Sequence, residues 1–254
     1  MPSQPPLPIG KIGKAGISSS VSLSPPSAAF SPLDLSPVLW FDASDASTIT
    51  QSAGAVSQWD DKSGNALHAT QGTGSNQPTF NTDELVFTGT HWLNLPDLSA
   101  YFNGSQNRTI FVVGEVDTVS SDEGFFSLGP NTTGNKFPIM TNLGALRLEI
   151  TGSGATTSLS MSVDTYAIIA LKLDGTTLGD CTYYLNGTSE AVTGANTINT
   201  DASNTNSIGR VALGDKLNGA IREIIAFDSA LSDADLNQVG NYLENKWALT
   251  WTDL

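Results

Sequence analysis

The segment from Leu217 to Trp247 constrains the fold more than any other part of the chain. Residues 220–227 are almost all apolar, which predicts a β-strand covered on both faces. Ser232 follows at an N-cap position, and acidic residues occupy the first turn, where the helix dipole favours negative charge. The next residues carry one apolar stripe at helical spacing, which predicts an amphipathic helix packed over one end of the domain. The stripe consists of Leu236, Val239, Leu243 and Trp247.

Upstream of this segment, short strand patterns alternate with turn signals. Asn186-Gly187 is typical of a tight hairpin turn. Many short strands without interleaved helices predict an all-β fold, a two-sheet antiparallel sandwich. The predicted strands are Val38–Phe41, Leu85–Phe87, Trp92–Leu95, Thr109–Val116, Phe125–Leu128, Leu146–Ile150, Ser158–Met161, Tyr166–Leu173, Thr182–Leu185 and Ala220–Phe227.

The charge of the chain limits its partners. Eleven basic against 25 acidic residues give a formal net charge of −14. This disfavours nucleic acid, since phosphate binding needs clustered Lys and Arg. No segment has the roughly 18 apolar residues of a membrane span, so membrane insertion is not expected. The single cysteine, Cys181, excludes an intrachain disulfide and is expected to be a small buried apolar residue.

Residues 1–37 differ in composition from the rest and hold eight of the twelve prolines. They are predicted to form an extended N-terminal arm, followed by one domain over residues 38–254. One alternative is a disordered leader, which composition alone permits. The other, which we favour because apolar residues are numerous, is an arm that becomes ordered on a neighbouring subunit. The apolar anchors of this arm are Leu7, Ile9, Ile12, Ile17, Val21, Leu23 and Phe30.

Several motifs resemble a known family. The strand-to-helix segment carries Gly219, Ile221 and Glu223, followed by Ala230-Leu231-Ser232 and Asp235. In these features the chain resembles laminin-G-like, concanavalin A-type jelly-roll domains of bacterial surface and phage proteins. The resemblance implies a jelly-roll sandwich with one C-terminal helix, a fold shared by lectins, adhesion modules, glycanases and structural subunits. Further matching segments are LWFDASDAST at 39–48, VSQWDDKSGNALHATQ at 56–71, QPTF at 77–80, TIFVVGEV at 109–116 and TYYLNGT at 182–188.

The enzyme branch of this family resembles the chain only in part. The glycanases carry three carboxylates on one strand, in an E-x-D-x-x-E or E-x-D-x-E pattern. Here Glu115 and Asp117 supply the first two, and the third is missing from the strand. Neither His68 nor His91 has a cysteine partner or a G-x-S-x-G motif to pair with, so both are interpreted as structural residues. No catalytic residue is therefore predicted.

Calcium is the metal that the loops favour most, because relatives hold it through Asp, Asn and carbonyl oxygens. The candidate ligands are Asp60, Asp61 and Asn65, with Asp42 and Asp45 nearby in the sequence. The same residues also suit a turn in which side chains cap their own backbone, and the turn is the favoured interpretation. The expectation is therefore no cofactor, with calcium as the alternative.

Sugar binding needs exposed aromatic rings beside polar side chains. Trp92, Tyr101 and Asn103, with Asn107 close by, are the candidate ligand residues. Of the other four tryptophans, three follow the apolar pattern of their segments and are expected in the core. For Trp251 the sequence permits two interpretations, packing on its own domain and packing on a partner. The core indoles are Trp40, Trp59 and Trp247.

Three functional hypotheses remain. The leading one is a non-enzymatic virion structural protein of a tailed phage. Its grounds are the missing export signal, the single free cysteine and the combination of an arm with a sandwich, and the phage origin is what the family resemblance implies. Its partners would be other virion proteins, reached through the arm, in a homo-oligomer that can also bind cell-surface glycan. The alternative is a bacterial surface or secreted carbohydrate-binding module, located outside the cell. A β-glycanase with atypical carboxylates is the third.

Overall fold

The computed structural model describes residues 1–4, 29–150 and 152–254. Two helices occur in this part of the chain, α1 (Ser99–Phe102) and α2 (Asp233–Trp247), together with short 3-10 turns at Pro32–Leu35, Ala46–Thr48, Gly74–Asn76 and Leu178–Asp180. The strands in chain order are β1 (Leu39–Asp42), β2 (Ile49–Ser52), β3 (Ala55–Trp59), β4 (Ala69–Thr70), β5 (Thr79–Asn81), β6 (Glu84–Thr88), β7 (Leu93–Asn94), β8 (Arg108–Val116), β9 (Asp122–Leu128), β10 (Phe137–Asn142), β11 (Ala145–Glu149), β12 (Gly154–Ser160), β13 (Ala167–Leu173), β14 (Cys181–Leu185), β15 (Thr188–Ala191), β16 (Ser207–Ile208) and β17 (Asn218–Phe227).

The strands form two antiparallel sheets. The back sheet has the order β15-β14-β13-β8-β17. On the other edge of β17, β6 pairs with its first half and β1 with its second half. The front sheet has the order β2-β3-β4-β7-β16-β9-β10-β11-β12. β5 pairs with both β3 and β6 and so joins the sheets at one edge. The predicted antiparallel sandwich with one C-terminal helix is confirmed.

The main core lies between the two sheets. Alternate residues of each strand point into it, for example Val112 on β8 and Ile169 on β13. Trp59 is fully buried there, with its ring centroid 5.3 Å from that of Phe41. Cys181 is also fully buried and free, and burial raises the pKa of its thiol to about 12.

A second core lies on the outer face of the back sheet, beneath α2. The predicted stripe of the helix packs there on Phe111, Val113 and Ile225. The apolar runs of β8, β13 and β17 are continuous because both of their faces are covered. The helix thus lies on a sheet face, and the expectation that it covers one end of the sandwich is wrong. Trp251 packs in the same core, with its ring centroid 6.0 Å from that of Phe111.

A buried carboxylate connects this helix to the sheet. Glu223 of β17 is 1% exposed and accepts hydrogen bonds from Trp40 Nε1 (2.8 Å), Tyr242 Oη (3.0 Å), Lys246 Nζ (2.8 Å) and Trp247 Nε1 (2.6 Å). Burial raises its pKa, and the Lys246 charge opposes that effect. All four of these donors thus have a partner, as burial requires.

The end of the predicted arm packs on its own domain. The ring of Phe30 lies edge-on to Tyr242 of α2, at 6.2 Å between centroids and 70° between planes. Ser31 and Asp34 form a capping box at the following 3-10 turn. The anchors Leu7, Ile9, Ile12, Ile17, Val21 and Leu23 lie outside the described residues, so anchoring to another subunit stays a prediction. Among the described helices, none has the length and apolarity of a membrane span.

Candidate functional site

Polar side chains gather on the outer face of the front sheet, where β3, β4 and β7 lie side by side. Trp59, Ala69 and Leu93 of these strands point into the core. Their neighbours in the sequence therefore point outward, because side chains alternate along a strand. The outward residues are Gln58, Thr70, Trp92 and Asn94.

These strands border a cavity of about 320 Å³, which we call the Asn94 cavity. His68 stands at its edge, where Nδ1 accepts a hydrogen bond from the backbone N–H of Asp61 at 3.1 Å. The sequence had favoured a structural role for this residue, and its ring also lines the cavity. Amide, hydroxyl, imidazole and apolar groups surround the space together, a combination typical of small-molecule sites. The lining residues are Gln58, Ala66, His68, Thr70, Asn94, Leu95 and Pro96.

Asn94 links this cavity to Trp92. Its Oδ1 accepts hydrogen bonds from Trp92 Nε1 at 3.2 Å and from Arg210 Nη2 at 3.3 Å, and its Nδ2 donates to the carbonyl of Thr70 at 3.4 Å. The backbone of Trp92 is also held, because Gln71 Nε2 donates to its carbonyl at 3.0 Å. The indole is therefore fixed beside the cavity while it stays half-buried.

Two cations lie over the Trp92 ring. Arg210 Cζ is 4.3 Å and Lys216 Nζ is 5.1 Å from the ring centroid. The two residues face each other in an antiparallel bridge, which places their side chains on one side of the loop that follows β16. We call Trp92, Arg210 and Lys216 the Trp92 cluster. Sequence analysis missed both cations, since only the pairing of β16 with β7 brings their loop to Trp92.

The other two predicted sugar residues lie elsewhere. Tyr101 of α1 packs against the main core, with its ring centroid 6.3 Å from that of Phe102. Asn103 is exposed, and its carbonyl accepts from the backbone N–H of Gln106. Asn107 bonds to Asp174 and to the backbone of Gly175. Within the described chain, no recorded contact joins these residues to Trp92.

The predicted calcium ligands are engaged in a turn. Both oxygens of Asp61 accept hydrogen bonds, from the N–H groups of Trp40, Ser63 and Leu67 and from the Ser63 hydroxyl, at 2.7 to 3.1 Å. Asn65 donates to the carbonyl of Val38 at 3.0 Å. Asp60 Oδ1 accepts from Gln58, while Asp42 and Asp45 pair with Lys62. Calcium binding by Asp60, Asp61 and Asn65 stays a prediction.

A separate carboxylate cluster lies at the end of β8. Oxygen atoms of Glu115, Asp117 and Asp164 all lie within 4.8 Å of one another. Asp164 comes from the turn before β13, so the third carboxylate of this cluster lies far from the other two in the sequence. Burial, with the nearby Asp117 and Asp164, raises the pKa of Glu115 to about 7. The cluster lies at the back sheet and away from the Asn94 cavity.

Comparison with protein families decides the classification. The model for the concanavalin A-like lectin/glucanase superfamily matches residues 70–237. The chain belongs to this superfamily. Of the residues described above, the matched region includes Trp92, Asn94, Arg210 and Glu115, and it ends inside α2. Comparison with curated protein sequences gives no match.

Solved structures share the fold at low sequence identity. Domain 4 of AbnA, a GH43 extracellular arabinanase of Geobacillus stearothermophilus in complex with arabinotriose, has a TM-score of 0.59 and 13% identity, over 81% of this chain and 97% of that one. Trypanosoma rangeli sialidase in complex with sialic acid has a TM-score of 0.60 and 11% identity, over 88% of this chain and 35% of that one. The chain thus spans about a third of the sialidase and almost all of the arabinanase domain.

These findings correct the leading functional hypothesis. The prediction of a phage virion structural protein is wrong, because the family is one of lectins and glucanases and the similar structures belong to carbohydrate-active proteins. The alternative, a carbohydrate-binding module, agrees better with the family match and with the similar structures. The phage assignment rested mainly on the resemblance to phage and bacterial surface domains, with the arm, the single free cysteine and the missing export signal as further grounds. None of these features reports chemistry. Localisation and oligomeric state stay predictions.

Proposed function

We propose that the chain is a non-catalytic carbohydrate-binding module whose sugar site is the Asn94 cavity together with Trp92. The observation that carries the proposal is the hydrogen bond that fixes the Trp92 indole to Asn94 at the edge of a cavity of about 320 Å³. An indole supplies an apolar platform for the C–H face of a sugar. Gln58, Thr70 and His68 supply side chains that can bond its hydroxyl groups.

The experiment is a glycan array followed by calorimetric titration of any ligand found. Trp92→Ala and Asn94→Ala should each weaken binding at least about tenfold, equivalent to about 1.4 kcal/mol. Asn103→Ala is the matched control, since it removes an exposed amide from outside the cavity. Equal losses in Asn94→Ala and Asn103→Ala would contradict the proposed site, and an array without any ligand would contradict the function.

A second candidate function is glycoside hydrolysis at Glu115. The raised pKa of about 7 suits a general acid, and carboxyl groups of retaining glycosidases stand about 5 Å apart. Against it, Asp117 and Asp164 are exposed, so solvent screens the charges that would have to tune these carboxyl groups for catalysis. We therefore place this candidate second.

Release of reducing sugar from polysaccharides separates the two functions. Activity that is lost in Glu115→Gln and kept in Asp228→Asn, the control at an exposed carboxylate, would replace the binding proposal by hydrolysis. Absence of activity in the unmodified protein agrees with a non-catalytic module.

A further inference from the structure

We propose that the Trp92 cluster is an anion subsite, so that the sugar bound at the Asn94 cavity carries a carboxylate. This inference rests on the proposed function and specifies its ligand class. It starts from Arg210, which is only 7% exposed yet lacks a counter-ion. Its Nη2 donates to the neutral Asn94, and its Nε, which is buried, has no hydrogen-bond partner.

Arg210 and Lys216 lack a counter-ion, unlike most other cations of the described chain. Apart from these two residues and Arg108, each described Lys or Arg lies within 4.0 Å of a carboxylate. Those ion-paired residues are Lys62, Lys136, Arg147, Lys172, Arg222 and Lys246.

Arg108 is an instructive comparison, because it too is buried without a carboxylate. Its guanidinium donates to three backbone carbonyls and to the hydroxyl of Thr200, at 2.8 to 3.2 Å. Its hydrogen-bonding capacity is thus used inside the protein. Arg210 makes one such bond, to Asn94, so donor capacity remains at the Trp92 cluster.

The Trp92 ring attracts both cations, but their charges repel each other, and a bound anion would relieve that repulsion. The chain has 25 acidic residues, yet in its described part none of them pairs with Arg210 or Lys216. The protein itself therefore supplies no anion at this position. Guanidinium groups bind carboxylates through paired, charge-assisted hydrogen bonds. Asn94 lines the cavity and accepts a hydrogen bond from Arg210, so the Trp92 cluster adjoins the cavity.

Two sources of a sugar carboxylate are tested in parallel by titration calorimetry. Trigalacturonate is compared with its methyl ester, which keeps the skeleton and removes the charge, and sialyllactose is compared with lactose. We expect one acid to bind about tenfold or more tightly than its neutral counterpart, with an affinity that falls as salt rises. The acid that does so identifies the source.

Three variants assign the effect. Arg210→Gln and Lys216→Gln should each remove most of the difference between acid and neutral sugar; Lys216 is half-buried, so its variant should fold even if that of Arg210 does not. Arg147→Gln, which removes a charge already paired with Glu149 on the same sheet, should leave the difference unchanged.

The outcomes are separable from those of the proposed function. If acid and neutral sugars bind equally and Asn94→Ala weakens both, the anion subsite is overturned and the carbohydrate site stands. If an acid is preferred and Arg147→Gln reduces the preference as much as Lys216→Gln, general charge explains it and the subsite is overturned. If no probe shows an acid preference, the inference fails, whatever the glycan array reports.

Discussion

Trp247 Nε1 donates a 2.6 Å hydrogen bond to Glu223 Oε2 across the interface between α2 and the back sheet. The same carboxylate also accepts from Trp40, Tyr242 and Lys246, so one side chain satisfies four donors. It therefore fixes the position of the helix on the sheet. Glu223, the acid of the strand motif, thus has a structural role in this chain.

Glu223→Ala should lower the free energy of unfolding by about 3 to 5 kcal/mol, since it leaves two buried indoles and the Tyr242 hydroxyl without their acceptor, while Lys246 keeps its ion pair with Asp42. Urea unfolding followed by tryptophan fluorescence measures the change. Asp228→Ala, at an exposed carboxylate, is the control and should change stability little. A loss in Glu223→Ala no greater than that of the control would refute this structural role.

Local patterns predicted much of the fold. β17, α2 and the N-cap of the helix were predicted because their signals are local in the sequence. These signals are the apolar pattern, Ser232 and the acidic residues of the first turn. β10 was missed because Pro138 lies inside it, and proline argues against a strand. The surface that receives α2 was misplaced, although the continuous apolar runs of β8 and β13 already indicated two covered faces.

The candidate site was predicted only in part, for a physical reason. Trp92 was identified as an aromatic residue beside polar ones, and Asn94 lies two residues away on the same face of the strand. Arg210 reaches Trp92 through pairing between strands more than 100 residues apart, and Asp164 reaches Glu115 in a similar way. Such pairs leave no local spacing for a sequence pattern to detect.

The pKa of Glu115 predicts a pH dependence of stability. Its folded value of about 7 lies above its ordinary value of 4.5, so the fold favours the protonated form. The contribution is therefore full below about pH 4.5 and is lost as the pH rises through about 7. Glu115→Gln should make the melting temperature less dependent on pH between 5 and 8 and should raise it at pH 8. The same flattening in Asp228→Asn would count against Glu115 as the source.

Asp61 tests the choice between a turn and a calcium site. Its carboxylate oxygens accept four hydrogen bonds from the protein, so Asp61→Ala should destabilise the fold by about 1 to 3 kcal/mol with or without calcium. We expect EDTA to leave the melting temperature of the unmodified protein unchanged, as measured by calorimetry. A lower melting temperature in EDTA, restored by excess Ca²⁺ and absent in Asp61→Ala, would establish the calcium site instead.

Gly240 of α2 should tolerate no side chain, although alanine is the better helix former. A Cβ atom at this position would lie 2.2 Å from two carbon atoms of the Trp251 ring. Gly240→Ala should therefore destabilise the fold by about 1 to 3 kcal/mol through overpacking, measured by urea unfolding. Gln238→Ala, on the exposed side of the same helix, is the control and should leave stability unchanged or slightly increased. Pairing Gly240→Ala with Trp251→Ala separates causes: if the clash is responsible, the double variant should be less destabilised than the sum of the two single variants. Strict additivity would contradict a direct contact between the Trp251 ring and position 240.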